Sequence, residues 1–297
     1  MGKALADAFP AARAVFDEVD TALGDKLSQI MWEGPVERLT LTENTQPALL
    51  AVSIAAMRVL ESEAGVDLVR DARFVAGHSL GEYSALAAAG TFTLSDAAKL
   101  VRIRGRAMQQ ATPVGQGAMA ALLGLEPADV KAIAAEAAQG EVCEAANDNA
   151  PGQIVVSGHK SAVERAVEIA KGRGARGMLL PVSAPFHCAL MQPAADSVRY
   201  ALAKVKVNAP KVPLVPNVSA NPVNDPAEIV RGLIEQVTGT VRWRECVTYL
   251  VAHGVDRLVE VGSGKVLTGL AKRISRETAA MTVGTPEDIA AFKALKS

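Results

Sequence analysis

The 297-residue sequence predicts an α/β protein in which a small domain interrupts a larger one. Three observations carry this expectation. Helical stretches alternate with short buried strands toward both ends of the chain. The middle third changes to a strand-helix-strand, strand-helix-strand rhythm. Near the start, a Gly-x-Ser-x-Gly turn at residues 77–81 joins a strand to a helix.

In chain order, residues 5–23 read as an amphipathic helix that breaks near Pro10. A second helix, 46–60, follows Asn44 and Thr45 as cap candidates and carries Pro47 in its first turn. A strand at 73–76 enters the glycine-rich turn, and the helix 80–89 leaves it and closes at Gly90. Another helix occupies 95–111. Strands 117–123, 142–147, 153–157 and 176–180, with helices 127–138 and 161–172, give the order β-α-β-β-α-β. That order is ferredoxin-like, with 147–152 as its central turn. Residues 113–190 are therefore expected to form an inserted ferredoxin-like subdomain. Residues 1–112 and 191–297 would make the large domain, an α/β-hydrolase-like core around a largely parallel sheet. The strand 258–261, the turn 262–264 and the helix 265–275 belong to that core.

Composition narrows the function classes. With 49% hydrophobic residues the chain can bury a large core, and a net charge of −1 offers no global field for nucleic acid or an anionic membrane. Cys143, Cys188 and Cys246 are widely spaced, and only four histidines are present, which argues against a disulfide framework or a zinc cluster. No apolar run is long enough to span a bilayer, and the N-terminus lacks an apolar signal core. A soluble, cytoplasmic, monomeric protein without a metal is the expectation.

Gly77-His78-Ser79-Leu80-Gly81 matters because of where it sits. A sharp strand-to-helix turn with small flanking residues lifts the serine oxygen above the sheet edge. The following helix aims its backbone N–H groups at the same spot, so Ser79 reads as a nucleophile rather than a helix cap. A serine needs a base. His78 should point away from the Ser79 oxygen, and His159 sits at a turn before a helix, on the surface. His187, in Ser183-Ala184-Pro185-Phe186-His187, lies where the chain leaves the small domain, and clefts between domains are where sites form. It leads, with His253 near a helix end remaining open.

On the helix 95–111 the apolar stripe runs through Ala97, Leu100, Val101, Ala107, Met108 and Ala111, and Arg104 falls on it. Arg102 and Arg106 fall on the opposite, solvated face. An inward arginine must be paired. Two partners fit: an internal carboxylate in a structural salt bridge, or the carboxylate of a substrate held by the guanidinium fork. The turn Gly262-Ser263-Gly264-Lys265 is not a P-loop, since Val259 and Val266 occupy positions that require Gly and Ser or Thr.

Taken together, several stretches resemble the malonyl-CoA:acyl carrier protein transacylase family, related to the acyltransferase domains of polyketide synthases. They are residues 77–86, 104–109, 147–158 and 185–191, with a further likeness at 260–270. The resemblance covers nearly the whole chain. It implies that Ser79 carries the acyl group, that His187 acts as general base and later acid, and that a main-chain carbonyl, by spacing that of Gln236, orients the histidine. It implies that the Leu80 N–H is an oxyanion donor and that Arg104 holds the malonyl carboxylate. Phe186 is similar to the malonyl-selective pattern. Malonyl-CoA would be the substrate, the phosphopantetheine thiol of acyl carrier protein the acceptor, and fatty acid biosynthesis the setting, by a ping-pong route with no bound cofactor. An acidic carrier would favour a basic patch, for which Lys171, Arg173 and Arg176 are candidates.

One departure stands out. Family members begin with a strand and a Phe-Pro-Gly-Gln-Gly-Ser-Gln-like loop whose glutamine supplies a second oxyanion donor, whereas residues 1–7 resemble sequence just downstream of that loop. The expectation is a start at an internal methionine of a longer gene product. Two rivals follow: a serine esterase or thioesterase using His253 and Asp225, and a carrier-binding remnant impaired by the missing loop.

Overall fold

A computed structural model describes residues 1–182 and 184–296. The chain opens with α1 (Lys3–Ala8), α2 (Pro10–Leu23), α3 (Leu27–Glu33), α4 (Val36–Thr40) and α5 (Thr42–Ala64). The single turn α6 (Leu68–Asp71) precedes α7 (Gly81–Ala88) and α8 (Leu94–Gln110). The middle unit runs β1 (Gly117–Leu123), α9 (Pro127–Ala138), β2 (Cys143–Ala150), β3 (Gln153–His159), α10 (Lys160–Gly172) and β4 (Arg176–Leu179). The chain ends with α11 (Gln192–Leu202), α12 (Pro226–Thr238), α13 (Trp243–Ala252), β5 (Arg257–Val261), α14 (Val266–Ile274), β6 (Ala279–Val283) and α15 (Pro286–Lys296).

The expected break at Pro10 is present: Phe9 is extended and Pro10 takes the first position of α2, where its missing N–H costs nothing. Helix α5 starts at Thr42, earlier than the sequence pattern suggests. Asn44 and Thr45 therefore lie inside its first turn, and their side chains donate to the α4 carbonyls of Arg38 (2.7 Å) and Leu39 (2.6 Å). Helix α5 is the hub of the main core, with Leu50, Ala51, Val52, Ala55, Ala56 and Val59 all fully buried. Helices α2, α8 and α15 pack around it. The closest approach is at Gly105 of α8, where a Cβ would fall 2.6 Å from the Thr42 carbonyl oxygen. Only glycine lets the two backbones meet so closely.

The middle unit is a four-stranded sheet in the order β2-β3-β1-β4, antiparallel throughout. Its strands alternate. Ala120, Leu122, Ile154 and Val156 face Val130 and Ile133 of α9 and Val163 and Ala166 of α10. Met119, Ala121, Ala146 and Val155 face the other way and pack against Leu180 and Phe186. This second face thus reaches the residue beside His187.

The expected largely parallel sheet is not what the large unit shows. Among the described residues, parallel pairing is confined to β5–β6 and the isolated bridges Val75–Leu214 and Asn147–Val241. The strand expected at 73–76 shrinks to that single Val75 bridge. Its partner segment carries Pro213 and Pro216 on either side of Leu214 and Val215, and proline has no N–H with which to extend a ladder. The end of β2 ties the two units together: Arg244 forks onto the Asp148 carboxylate at 2.7–3.0 Å, and Val241 N–H donates to the Ala146 carbonyl at 2.8 Å. The three cysteines are free and buried. Among the described residues, no helix is long and apolar enough to cross a membrane.

Gly105→Ala should destabilise the fold by about 1–3 kcal/mol, because the added methyl forces α8 off α5. Gly172→Ala, in open space at the end of α10, serves as the control and should be neutral or slightly stabilising. Urea unfolding of both variants checks the contrast.

Candidate active site

The turn at residues 77–81 is built around a strained serine. Ser79 has φ +51°, in the left-handed region that disfavours residues with a Cβ. Gly77 has no substitute: a Cβ there would lie 2.0 Å from the Gly81 carbonyl oxygen. Asn217 holds the turn from both sides, its Oδ1 accepting from Ser79 N–H (2.7 Å) and its Nδ2 donating to Gly77 O (2.7 Å). The Leu80 N–H, at the entrance to α7, donates to no group among the described residues.

His187 is also left-handed, at φ +60°, and only 4% exposed. Its Nδ1 lies 2.8 Å from the main-chain oxygen of Gln236, and its Nε2 lies 2.8 Å from Ser79 Oγ. A carbonyl can only accept, so Nδ1 carries the proton and Nε2 is left as the acceptor for the serine hydroxyl. Burial, and then the positive charge of Arg104, push the histidine pKa down to about 3. The ring is therefore neutral at neutral pH, as a base must be.

Arg104 points inward and is 1% exposed. Its NH1 donates to Gln46 Oε1 (2.7 Å), and its NH2 to both Gln236 Oε1 (2.9 Å) and Ser79 Oγ (2.9 Å). The guanidinium lies 5.7 Å from the centre of the Tyr83 ring. Its Nε has no partner, and no ion pair to Arg104 is found among the described residues. Of the two partners weighed for it, the internal salt bridge is absent.

Beneath the elbow lies Glu82, fully buried. Its Oε2 accepts from Asn217 N–H (3.0 Å) and Gln236 Nε2 (2.9 Å). Burial pushes its carboxyl up to about 7, against the pull of those two hydrogen bonds and Arg104. The same Gln236 Nε2 also donates to Ser79 O (2.9 Å).

Ser79, Leu80, Arg104, Phe186 and His187 share one cavity of about 260 Å³ with Thr42, Thr45, Gln46, His78 and Met108. A larger open depression of about 630 Å³, lined by Asp20, Asp25, Lys26 and Arg38 among others, contains no serine, cysteine or histidine. His78 turns away from Ser79 Oγ, as expected, and its Nε2 meets Asn149 Oδ1 at 2.8 Å. His159 is partly buried rather than on the surface, because its Nδ1 accepts from Val142 N–H at 2.9 Å. Arg102 is also more enclosed than expected, donating to Asn44 Oδ1 at 2.5 Å. His253 stacks on Tyr249 and contacts that residue's carbonyl, while Asp225 caps α12, so neither hydrogen-bonds to Ser79. Lys171 and Arg173 pair with Glu168 and Glu136. Ser183 lies outside the described residues. Sequence reasoning missed Gln46, Glu82, Asn217 and the side-chain role of Gln236. Only Gln46 and Glu82 had a legible signal, as polar residues on helix faces that turn inward.

A strained serine, a neutral histidine held by a carbonyl and a free backbone donor define a serine-nucleophile enzyme of acyl chemistry. The chain belongs to the acyl transferase domain family, whose model matches residues 1–286. It is 46% identical over 288 residues to the malonyl CoA-acyl carrier protein transacylase of Escherichia coli strain K12, covering 97% of this chain and 92% of that protein. The crystal structure of an acyl-carrier-protein-S-malonyltransferase from Bartonella henselae is similar, with 57% identity, a TM-score of 0.97, and 100% of this chain and 94% of that chain covered. A malonyl-transacylase solved in complex with its type II PKS acyl-carrier protein matches at 40% identity and a TM-score of 0.95, over 99% of this chain and 94% of that one.

A fluorophosphonate should label Ser79, and at pH 5.5 the labelling rate should stay within about twofold of its value at pH 7.5. A base with the ordinary histidine pKa of about 6.5 would retain about a tenth of the rate. A pH series of labelling rates distinguishes the two.

Proposed function

We propose that this chain transfers a malonyl group from malonyl-CoA to the phosphopantetheine thiol of acyl carrier protein, for fatty acid biosynthesis. The observation that carries the proposal is Arg104, a buried cation with neutral partners and an idle Nε, set against the oxygen of the nucleophile. An ordinary ester site has no use for such a charge. A diacid does, because its free carboxylate fits the guanidinium fork.

His187 Nε2 takes the proton of Ser79 Oγ as the oxygen attacks the thioester carbonyl. The Leu80 N–H receives the oxyanion. The tetrahedral adduct collapses, the C–S bond breaks, and the departing thiolate takes the proton from His187. Malonyl-Ser79 remains, with its carboxylate on Arg104 and its chain bounded by Phe186. The carrier thiol then gives its proton to His187 and attacks the ester, and Ser79 recovers the proton as it leaves. No bound cofactor or metal takes part. The Gln236 carbonyl keeps the proton of His187 on Nδ1 throughout. The β-α-β-β-α-β order and the strand order β2-β3-β1-β4 support residues 113–190 as a ferredoxin-like subdomain set into an α/β-hydrolase-like large domain of residues 1–112 and 191–297. The likeness to a transacylase solved with its carrier supports acyl carrier protein as the partner. A cytoplasmic monomer completes the proposal.

Intact mass after incubation with malonyl-CoA should show one malonyl group on the wild-type chain and none on Ser79→Ala. An unlabelled wild type would favour a carrier-binding remnant. Arg104→Ala should lower malonyl transfer about 10–100-fold while sparing neutral acyl groups, the magnitude expected for loss of a charge-assisted hydrogen-bond pair. Equal losses for malonyl and neutral thioesters would remove the carboxylate clamp.

A further inference from the structure

We propose that Glu82 is a positioning residue of this site, its carboxylate setting the Gln236 amide that joins the carboxylate clamp to the histidine and the nucleophile. This role rests on the proposed acyl transfer.

Glu82 lies in the first turn of α7, three residues after Ser79, and has no exposed surface. A carboxylate placed there is costly unless it accepts hydrogen bonds. A single oxygen, Oε2, accepts from both Gln236 Nε2 and the Asn217 main-chain N–H, while Oε1 meets no donor. Among the described residues, no lysine or arginine forms an ion pair with Glu82. Its nearest charged counterpart in the site is Arg104, reached across the Gln236 amide.

That amide has two ends of opposite character. Its Nε2 can only donate and its Oε1 can only accept. On one side Glu82 Oε2, already accepting from the Asn217 N–H, presents an acceptor whether the carboxyl is ionised or carries a proton on the unpartnered Oε1. On the other Arg104 only donates, through NH2 to Gln236 Oε1 at 2.9 Å. The carboxylate and the guanidinium together therefore permit one orientation of Gln236. In that orientation Nε2 also reaches Ser79 O, and the main-chain oxygen of the same residue receives His187 Nδ1. Asn217, whose N–H rests on Glu82, holds Ser79 N–H through its side chain. One buried oxygen thus acts on the clamp, the base and the nucleophile, each through a single intermediate residue. Without Glu82 the amide loses its one carboxyl acceptor and is held only by Ser79 O at 2.9 Å and Asn217 Oδ1 at 3.4 Å. Its N–H end can then turn toward Arg104 and oppose the guanidinium.

The test uses the full chain as wild type, Glu82→Ala, Glu82→Asp and Glu82→Gln. Acylation rates of Ser79 from malonyl-CoA and from acetyl-CoA are measured by quenched intact mass, normalised to the folded fraction from fluorophosphonate titration. Glu82→Asp is too short to reach both donors, whereas Glu82→Gln keeps an acceptor oxygen and removes the charge. The expected result is a fall of about tenfold or more in the malonyl-to-acetyl rate ratio for Ala and Asp, with Gln recovering the ratio to within about threefold of wild type. If the Ala variant does not fold, the contrast between Asp and Gln carries the test. A ratio that stays at the wild-type value in every folded variant, with both substrates slowed equally, overturns the positioning role and leaves Glu82 a stability residue. A wild-type chain that takes no malonyl from malonyl-CoA overturns the acyl-transfer proposal itself, and this inference with it.

Discussion

Arg104 keeps a positive charge with only 1% of its surface exposed, and every hydrogen-bond acceptor it touches is neutral. A buried charge in that position is expensive unless dipoles or an opposite charge compensate it. Here the compensation is partial and directional. Two glutamine oxygens and the Tyr83 ring surround the guanidinium, and the carboxylate of Glu82 stands behind Gln236. The arm of the guanidinium that reaches the nucleophile is NH2, which donates to Gln236 Oε1 and Ser79 Oγ, while Nε is left without a partner. The position of the charge follows from helix packing, since Gly105 next to it lets α8 approach the start of α5. Core and site are therefore one construction: the contact that stabilises the helices also aims the arginine.

The two residues that share the proton are both held in left-handed backbone conformations. For residues with a Cβ this costs about 1–3 kcal/mol each and persists only where the surroundings over-determine it. Asn217 pins the serine from both sides of its turn. Gln236 pins the histidine with its main chain and the arginine with its side chain. In the proposed reaction a carbonyl suffices to orient His187 because the ring rests buried and neutral, so no acid is needed to stabilise its resting state. The middle unit meets the site through packing. Its sheet packs against Phe186, and the end of β2 is bolted to the large unit through Asp148 and Arg244.

How much of this was legible in the sequence depends on how local each signal is. Strand β1 and helix α9 match the expected bounds, since a short apolar run in one and a proline-led start in the other are properties of a short window. The inward turn of Arg104 followed from helical spacing alone. The parallel sheet did not survive, because whether two strands pair depends on a distant segment, and the one opposite Val75 is rich in proline. The single-residue pattern also could not reveal Asn217, which sits in a loop between Pro216 and Val218 and acts on a turn far away in the chain. Glu82 was visible as a polar residue on an inward helix face, but its partners were not. Its role depends on which groups the fold stacks beneath the elbow. The Arg102 face was misjudged for a similar reason, since helix spacing says which face points inward but not which neighbours cover the other.

The unmet demand at Arg104 is tested most directly by the structure of the acyl-enzyme, crystallised after loading Ser79 from malonyl-CoA. The predicted result is a malonyl carboxylate within about 3 Å of the Arg104 guanidinium, with NH2 drawn off Ser79 Oγ and Gln236 Oε1 still in contact. A malonyl group on Ser79 whose carboxylate faces solvent, with the arginine unmoved among its glutamines, would contradict it.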